Sequence, residues 1–190
     1  MKYQEKEVED KDLVIAAIKN PDEFQAIVTR YWNRLFCYTR RMSYFSQEDI
    51  EDILQEVFIK IYRYLNDYNQ EMTFSTWVYQ ITRNTIIDEI RKRKVRPQTI
   101  WLEDAELVKV LKSSLDLEKD YLAAEALEKV KSVILNLPDN YREVLILRFI
   151  EEKSYEEIMD IVQLPKGTIA SLVNRGKKII LKEVTSKKIL

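Results

Sequence analysis

Residues 46–65 read SQEDIEDILQEVFIKIYRYL. Ile50, Ile53, Leu54, Val57, Phe58, Ile61 and Leu65 recur at i, i+3, i+4 and i+7, which puts them on one stripe of an α-helix over 47–66. Ser46, with Asp49 three residues on, has the form of a capping box that opens this helix. The opposite surface carries Glu48, Asp49, Asp52, Gln55 and Glu56. Acidic residues near a helix N-terminus are favoured by the helix dipole in plain solvent. The same face also suits a basic docking partner, so the pattern alone leaves both readings open.

The rest of the chain agrees with a helical reading. It has 190 residues and only two glycines, against an ordinary usage of about 7%. Hairpins and strand turns draw heavily on glycine, so an all-α fold is expected. The absence of histidine excludes Ser-His-Asp and Cys-His catalytic sets and histidine-containing metal sites. A lone Cys37 neither forms an internal disulfide nor builds a thiolate zinc site, and is expected to pack as a small apolar residue. Gly167 and Gly176 are too few for a phosphate-cradling loop. Neither a secretory signal nor an 18-residue apolar run is visible. A cytoplasmic protein that is not an enzyme is expected, with no cofactor or metal implied.

Pro21 is expected to break an opening helix, Pro138 to open a second helical block, and Pro165 to sit in a turn. Residues 97–120 have weak periodicity and an acidic character, which reads as a linker between a domain over 10–96 and another over 121–190. Residues 76–94 read as a helix whose apolar residues, from Trp77 to Ile90, point nearly all round, as in a helix enclosed by neighbours. Before it, 68–75 reads as an ordered loop with Tyr68, Asn69 and Phe74; aromatic rings beside a basic cluster can stack unpaired bases. Further on, Ser154 and Glu157 form a capping box that opens a short helix through Val162. Gln163 to Gly167 read as a turn, and Thr168 as the cap of a second helix to about Val184. Two helices joined by a short turn, the second rich in Lys and Arg, have the pattern of a helix-turn-helix.

The net charge of −1 hides a cancellation. Residues 76–100 carry +4 and residues 165–190 carry +6, while 101–130 carry −4. Each basic island closes a helical block, where cations meet the helix dipole favourably. Two separate contacts with nucleic-acid phosphates are the functional alternative.

Taken together, these parts resemble a bacterial RNA polymerase sigma factor of the two-domain, extracytoplasmic-function type. The run Asp49 to Phe58 is similar to that family's core-binding helix. Phe74 to Asn84, with Asp88 and Arg91 to Lys94, is similar to its promoter-melting and minus-ten-reading segment. Leu137 to Arg148, Ser154 to Ile158, Gly167 to Ile169 and Arg175 are similar to its minus-thirty-five domain. The resemblance implies a transcription initiation factor that binds core RNA polymerase and promoter DNA, both as duplex and as melted non-template strand. It also implies an anti-sigma protein as a candidate partner.

Residue by residue, the resemblance implies that Asp49, Asp52, Gln55 and Glu56 dock on core polymerase. It gives Asn69, Phe74, Trp77, Arg83, Asn84, Arg91, Lys92 and Arg93 to the minus-ten DNA. Lys166, Thr168, Ser171, Asn174, Arg175, Lys177 and Lys178 fall to the minus-thirty-five element. Family members usually carry basic residues where this chain has Ala170 and Leu172, which implies a weaker dependence on the upstream element. Gln163 stands where a residue tolerant of left-handed geometry is common. A helix-turn-helix repressor or activator is the alternative, although it needs neither the acidic helix nor the aromatic-basic segment. A helical hydrolase with paired carboxylates is weaker still, because its acids would lie on exposed faces.

Overall fold

The computed structural model of the chain describes residues 8–43, 45–93, 133 and 137–185, with side chains described as far as residue 182. The expected linker 97–120, and Lys94 in the first basic island, lie outside the described residues. Every regular element among the described residues is helical, and the chain divides into two compact units.

The first unit holds α1 (Asp10–Lys19), α2 (Phe24–Met42) through Thr39, α3 (Gln47–Tyr64) and α4 (Phe74–Arg93). Pro21 ends the run of α1 by opening a 3-10 turn over Pro21–Glu23, with the Asn20 side chain accepting from the Asp22 amide. At the start of α3 the capping box is complete: the Asp49 amide donates to Ser46 Oγ at 3.2 Å, and the Ser46 amide donates to Asp49 Oδ2 at 3.2 Å. The apolar stripe of α3, Ile50 to Ile61, is buried as its spacing requires. It packs on α4, while α2 meets α3 through Trp32 stacked on Phe58 and meets α4 through Tyr31 against Phe74 and Tyr38 against Tyr79, with Ile27 and Leu35 also buried.

α4 departs from the expectation of a helix enclosed on all sides. Its buried face includes Phe74, Val78, Tyr79 and Ile86, completed by Thr76, Thr82 and Thr85. The threonines can be buried because their hydroxyls are satisfied locally. Thr82 donates to the Val78 carbonyl at 2.8 Å and Thr85 to that of Ile81 at 2.9 Å, while Lys60 donates to Thr85 Oγ1 at 3.0 Å. Trp77, Ile81, Ile87 and Ile90 stay partly exposed. Periodicity misled here because threonine does the work of an apolar residue on the inner face.

Cys37 also departs from expectation: it is exposed. α2 buries Tyr31, Leu35 and Tyr38 at i, i+4 and i+7, and position 37 falls off that stripe.

The second unit carries α5 (Asp139–Phe149), α6 (Tyr155–Val162) and α7 (Lys166–Thr185). Pro138 precedes α5, and its carbonyl accepts from the Tyr141 and Arg142 amides. α6 opens on the full Ser154–Glu157 capping box. It ends at Gln163, whose φ of 57° and ψ of 44° lie in the left-handed region. α7 crosses α5 where Gly176 faces Leu145: a Cβ on Gly176 would sit 3.0 Å from Leu145 Cδ1. That missing methyl lets the two helices approach.

Thr168 does not cap α7. The helix already runs from Lys166, and the Pro165 carbonyl accepts from the Thr168 and Ile169 amides at 2.9 and 3.1 Å. Proline at the boundary starts the helix earlier because its φ is already set for a helical turn.

Candidate partner and nucleic-acid interfaces

On α3, Asp52 and Gln55 are exposed and Glu56 is half-exposed. The i, i+3, i+4 spacing puts them on one face. Glu56 also pairs with Lys60 one turn on, at 2.7 Å.

Asp49 is placed differently from these three. Besides its part in the capping box, it accepts from Arg93 Nη1 at 2.6 Å. Arg93 in turn donates from Nε to Glu89 at 2.6 Å and lies 5.0 Å above the Phe45 ring. The Arg93 guanidinium, with the Ser46 hydroxyl, holds the Asp49 carboxyl below the ordinary carboxylate range. Arg93 lowers Glu89 in the same way. Arg93 therefore clasps the last turn of α4 to the first turn of α3, whereas Arg91 and Lys92 carry only longer contacts, to Asp88 at 3.6 Å and to Glu89 at 3.5 Å. The clasp was not legible in sequence, because its members are 44 residues apart.

The outer face of α4 gathers Trp77, Asn84, Asp88 and Arg91, at i, i+7, i+11 and i+14, into one stripe opposite the buried threonines. Arg83 is half-buried on the flank. Phe74 does not offer a ring face to a base. It is 3% exposed and packed edge-on against Tyr31 and Tyr68, with the tilted Trp77 ring 5.7 Å away. It builds the support on which Trp77 and Tyr68 rest.

The loop before α4 is ordered by its own polar groups. Asn69 Oδ1 accepts from the Glu71 amide at 3.0 Å, Asn69 Nδ2 donates to the Glu71 carboxylate at 2.7 Å, and Tyr68 donates to the Met72 carbonyl at 2.6 Å. Thr73 then caps α4 by accepting from the Thr76 amide. Between this loop and α1 lies a cavity of about 410 Å³, lined by residues that include Asp10, Val14, Tyr68, Met72 and Thr73. Asp10 is fixed by Arg30 at 2.8 Å and by the Tyr31 hydroxyl at 2.5 Å. Burial, then Asp10, push the Tyr31 phenol well above its ordinary value.

In the second unit α7 buries Ile169, Leu172, Val173, Gly176 and Ile180. The opposite face carries Thr168, Ser171, Asn174, Arg175 and Lys178, all at least partly exposed. Lys182 is exposed and continues this face at i+4 from Lys178; it was missed, although the spacing alone would have found it. Lys166 lies on one flank, ion-paired with Glu156 across the turn. Lys177, three turns on, lies on the same flank, 4.7 Å above the Phe149 ring. Leu172 belongs to the helix's inner face, so it never stood where a base could be read. That removes half of the reason to expect weaker upstream dependence.

Comparison with known proteins bears on what these faces serve. The family description "Sigma-70 region 2" matches residues 27–96 and "Sigma-70, region 4" matches residues 127–180. The chain is 35% identical over 162 residues to the ECF RNA polymerase sigma-E factor of Haemophilus influenzae, covering 83% of this chain and 85% of the relative. It is 32% identical over 172 residues to the ECF RNA polymerase sigma factor SigW of Bacillus subtilis, covering 86% and 89%. The chain belongs to the ECF sigma factors.

As an ECF sigma factor it also shares its fold with solved structures. CnrH, in complex with the cytosolic domain of CnrY, gives a TM-score of 0.65 at 19% identity, covering 94% of this chain and 99% of that one. The sigma factor RpoE of Bartonella quintana, in complex with the anti-sigma factor NepR, gives 0.62 at 20% identity, covering 87% and 98%. Among the described residues of this sigma factor, no helix is long and apolar enough to cross a membrane.

Proposed function

We propose that this sigma factor holds core RNA polymerase on the exposed face of α3 and promoter DNA on the outer faces of α4 and α7. The chain is a promoter-specificity initiation factor that works with the polymerase, not a free-standing repressor. It acts by binding rather than by catalysis. Asp52, Gln55 and Glu56 present negative charge to a basic partner, which speeds encounter and fixes register more than it adds affinity. Trp77, Asn84, Arg91 and Lys92 meet the minus-ten region, and the open cavity lined by Tyr68, Gln70 and Met72 is of a size that receives a small ligand, here an extruded base. Extrusion costs a few kcal/mol, which stacking and phosphate contacts offset. Thr168, Ser171, Asn174, Arg175 and Lys178 face the minus-thirty-five groove, with Lys166 and Lys177 together along one edge. The domain boundaries that go with this reading are 10–96 and 121–190, with 97–120 between them. An anti-sigma protein is a further partner in the same proposal.

One observation carries the reading. A single chain presents an acidic helix face and, separately, a helix-turn-helix whose second helix turns a polar and cationic face outward. Run-off transcription with purified core polymerase tests it: addition of the factor should create specific start sites, and identical transcripts with and without it would remove the claim. Asp52→Arg should abolish co-purification with core while leaving the thermal melt unchanged, because the side chain is exposed.

A further inference from the structure

In a helix-turn-helix the second helix enters its groove with the N-terminal residues toward the bases. In α7 those residues hold one cation, Lys166. From there to Arg175 the sequence reads GTIASLVN, without charge. A cation in the first turn of a helix is opposed by the helix dipole, so Lys166 stands there against local preference. Its ammonium donates to Glu156 Oε1 across the turn between α6 and α7. The pair lies in solvent, with the Lys166 side chain 60% and the Glu156 side chain 65% exposed, so DNA approaching α7 reaches both. The Lys166 ammonium holds the Glu156 carboxyl below the ordinary carboxylate range. The two adjacent glutamates of α6 have separate roles. Glu157 closes the capping box, its Oε2 accepting from the Ser154 amide at 2.9 Å. Glu156 lies outside that box, and its carboxylate is not needed for the cap.

We infer that Glu156 is a brake on DNA binding by α7: it neutralises Lys166 in the free factor, and a phosphate that takes Lys166 must displace it. This rests on the reading that α7 faces promoter DNA. Phosphate contacts carry no sequence information, so the brake acts alike on promoter and random duplex. It lowers retention on the many non-specific sites that compete for the factor, and it leaves the ranking of promoters unchanged. An exposed ion pair is weak and screened by salt. The brake is therefore worth a factor of about five at most, small enough for DNA itself to release it.

The test is binding of the holoenzyme to a promoter duplex and to a random duplex across a salt series, with each variant's melt recorded. Glu156→Gln should tighten both complexes by a similar factor of about three to five. It should also steepen the slope of log K against log salt by up to about 0.9. In a Lys166→Ala background the same change should lose most of that gain, because a brake that acts through Lys166 has nothing left to release. Equal gains with and without Lys166 would show plain repulsion by Glu156 and overturn the brake. A Glu156→Gln holoenzyme that binds as wild type, or more weakly, would overturn it too, as would a gain confined to the promoter duplex. If Lys166→Ala and Lys178→Ala each leave both affinities unchanged, the reading of α7 as a DNA-facing helix fails and the brake falls with it.

Discussion

Gln163 holds a backbone conformation that costs an L residue about 1–2 kcal/mol. Its side chain offsets part of this by donating to the Asp160 carbonyl at 2.6 Å, and its amide donates to the Met159 carbonyl at 2.8 Å. Gln163→Gly removes the steric term and keeps the backbone bond. It should stabilise the second unit by about 0.5–1 kcal/mol, read as a rise of several degrees in its unfolding midpoint; an unchanged or lowered midpoint would show that the lost side-chain bond outweighs the strain relieved. At this scale much was legible. Both capping boxes and the exposure of Asp52 follow from residue types at fixed offsets, whereas the left-handed turn at Gln163 was implied only by the family resemblance. Thr168 and Phe74 were misread for opposite reasons. A proline's fixed φ displaced the first, and three aromatic neighbours gathered from α2, the loop and α4 enclosed the second.

Between elements, the Arg93 clasp joins α3 to α4 through Asp49 and Glu89. Both carboxyls have their pKa held down in the folded state. A carboxyl depressed on folding contributes stability above its unfolded pKa, and loses it as pH falls through the folded value. The clasp is thus complete above about pH 5 and fades below the ordinary carboxylate range near about 4. Arg93→Ala should lower the unfolding midpoint of the first unit at neutral pH, with a penalty that shrinks as pH falls toward about 3. Thermal melts of variant and wild type across that range check it; a pH-independent gap would assign the loss to the Phe45 contact instead. Sequence could display the basic cluster at 91–93 but not its division of labour, because partners 44 residues apart leave no local signature.

For the whole molecule, promoter affinity should depend on salt through the number of phosphates that each unit neutralises. Lys178→Ala in the holoenzyme should reduce the slope of log K against log salt by about 0.9, with little change in the ranking of promoter sequences. An unchanged slope would take α7's outward face off the phosphate backbone. The all-α class and the order of the motifs were readable from glycine scarcity, apolar spacing and caps. What sequence left unread were the three-dimensional pairings: threonines as the inner face of α4, Leu172 turned inward, and Arg93 closed on Asp49.

That last pairing has a thermodynamic corollary. Asp49 sits at the head of the helix proposed above to face polymerase, and Arg93 at the foot of the one proposed to face DNA. Ligands that compete for opposite members of one ion pair are linked, and the linkage is reciprocal. On that reading, a polymerase cation that captures Asp49 frees Arg93 Nη1 for a phosphate while Glu89 keeps its hold on Nε. By the same factor, a phosphate that captures Arg93 raises the affinity of Asp49 for that cation. If both roles hold, the factor grips promoter and polymerase together more tightly than its two separate affinities would give.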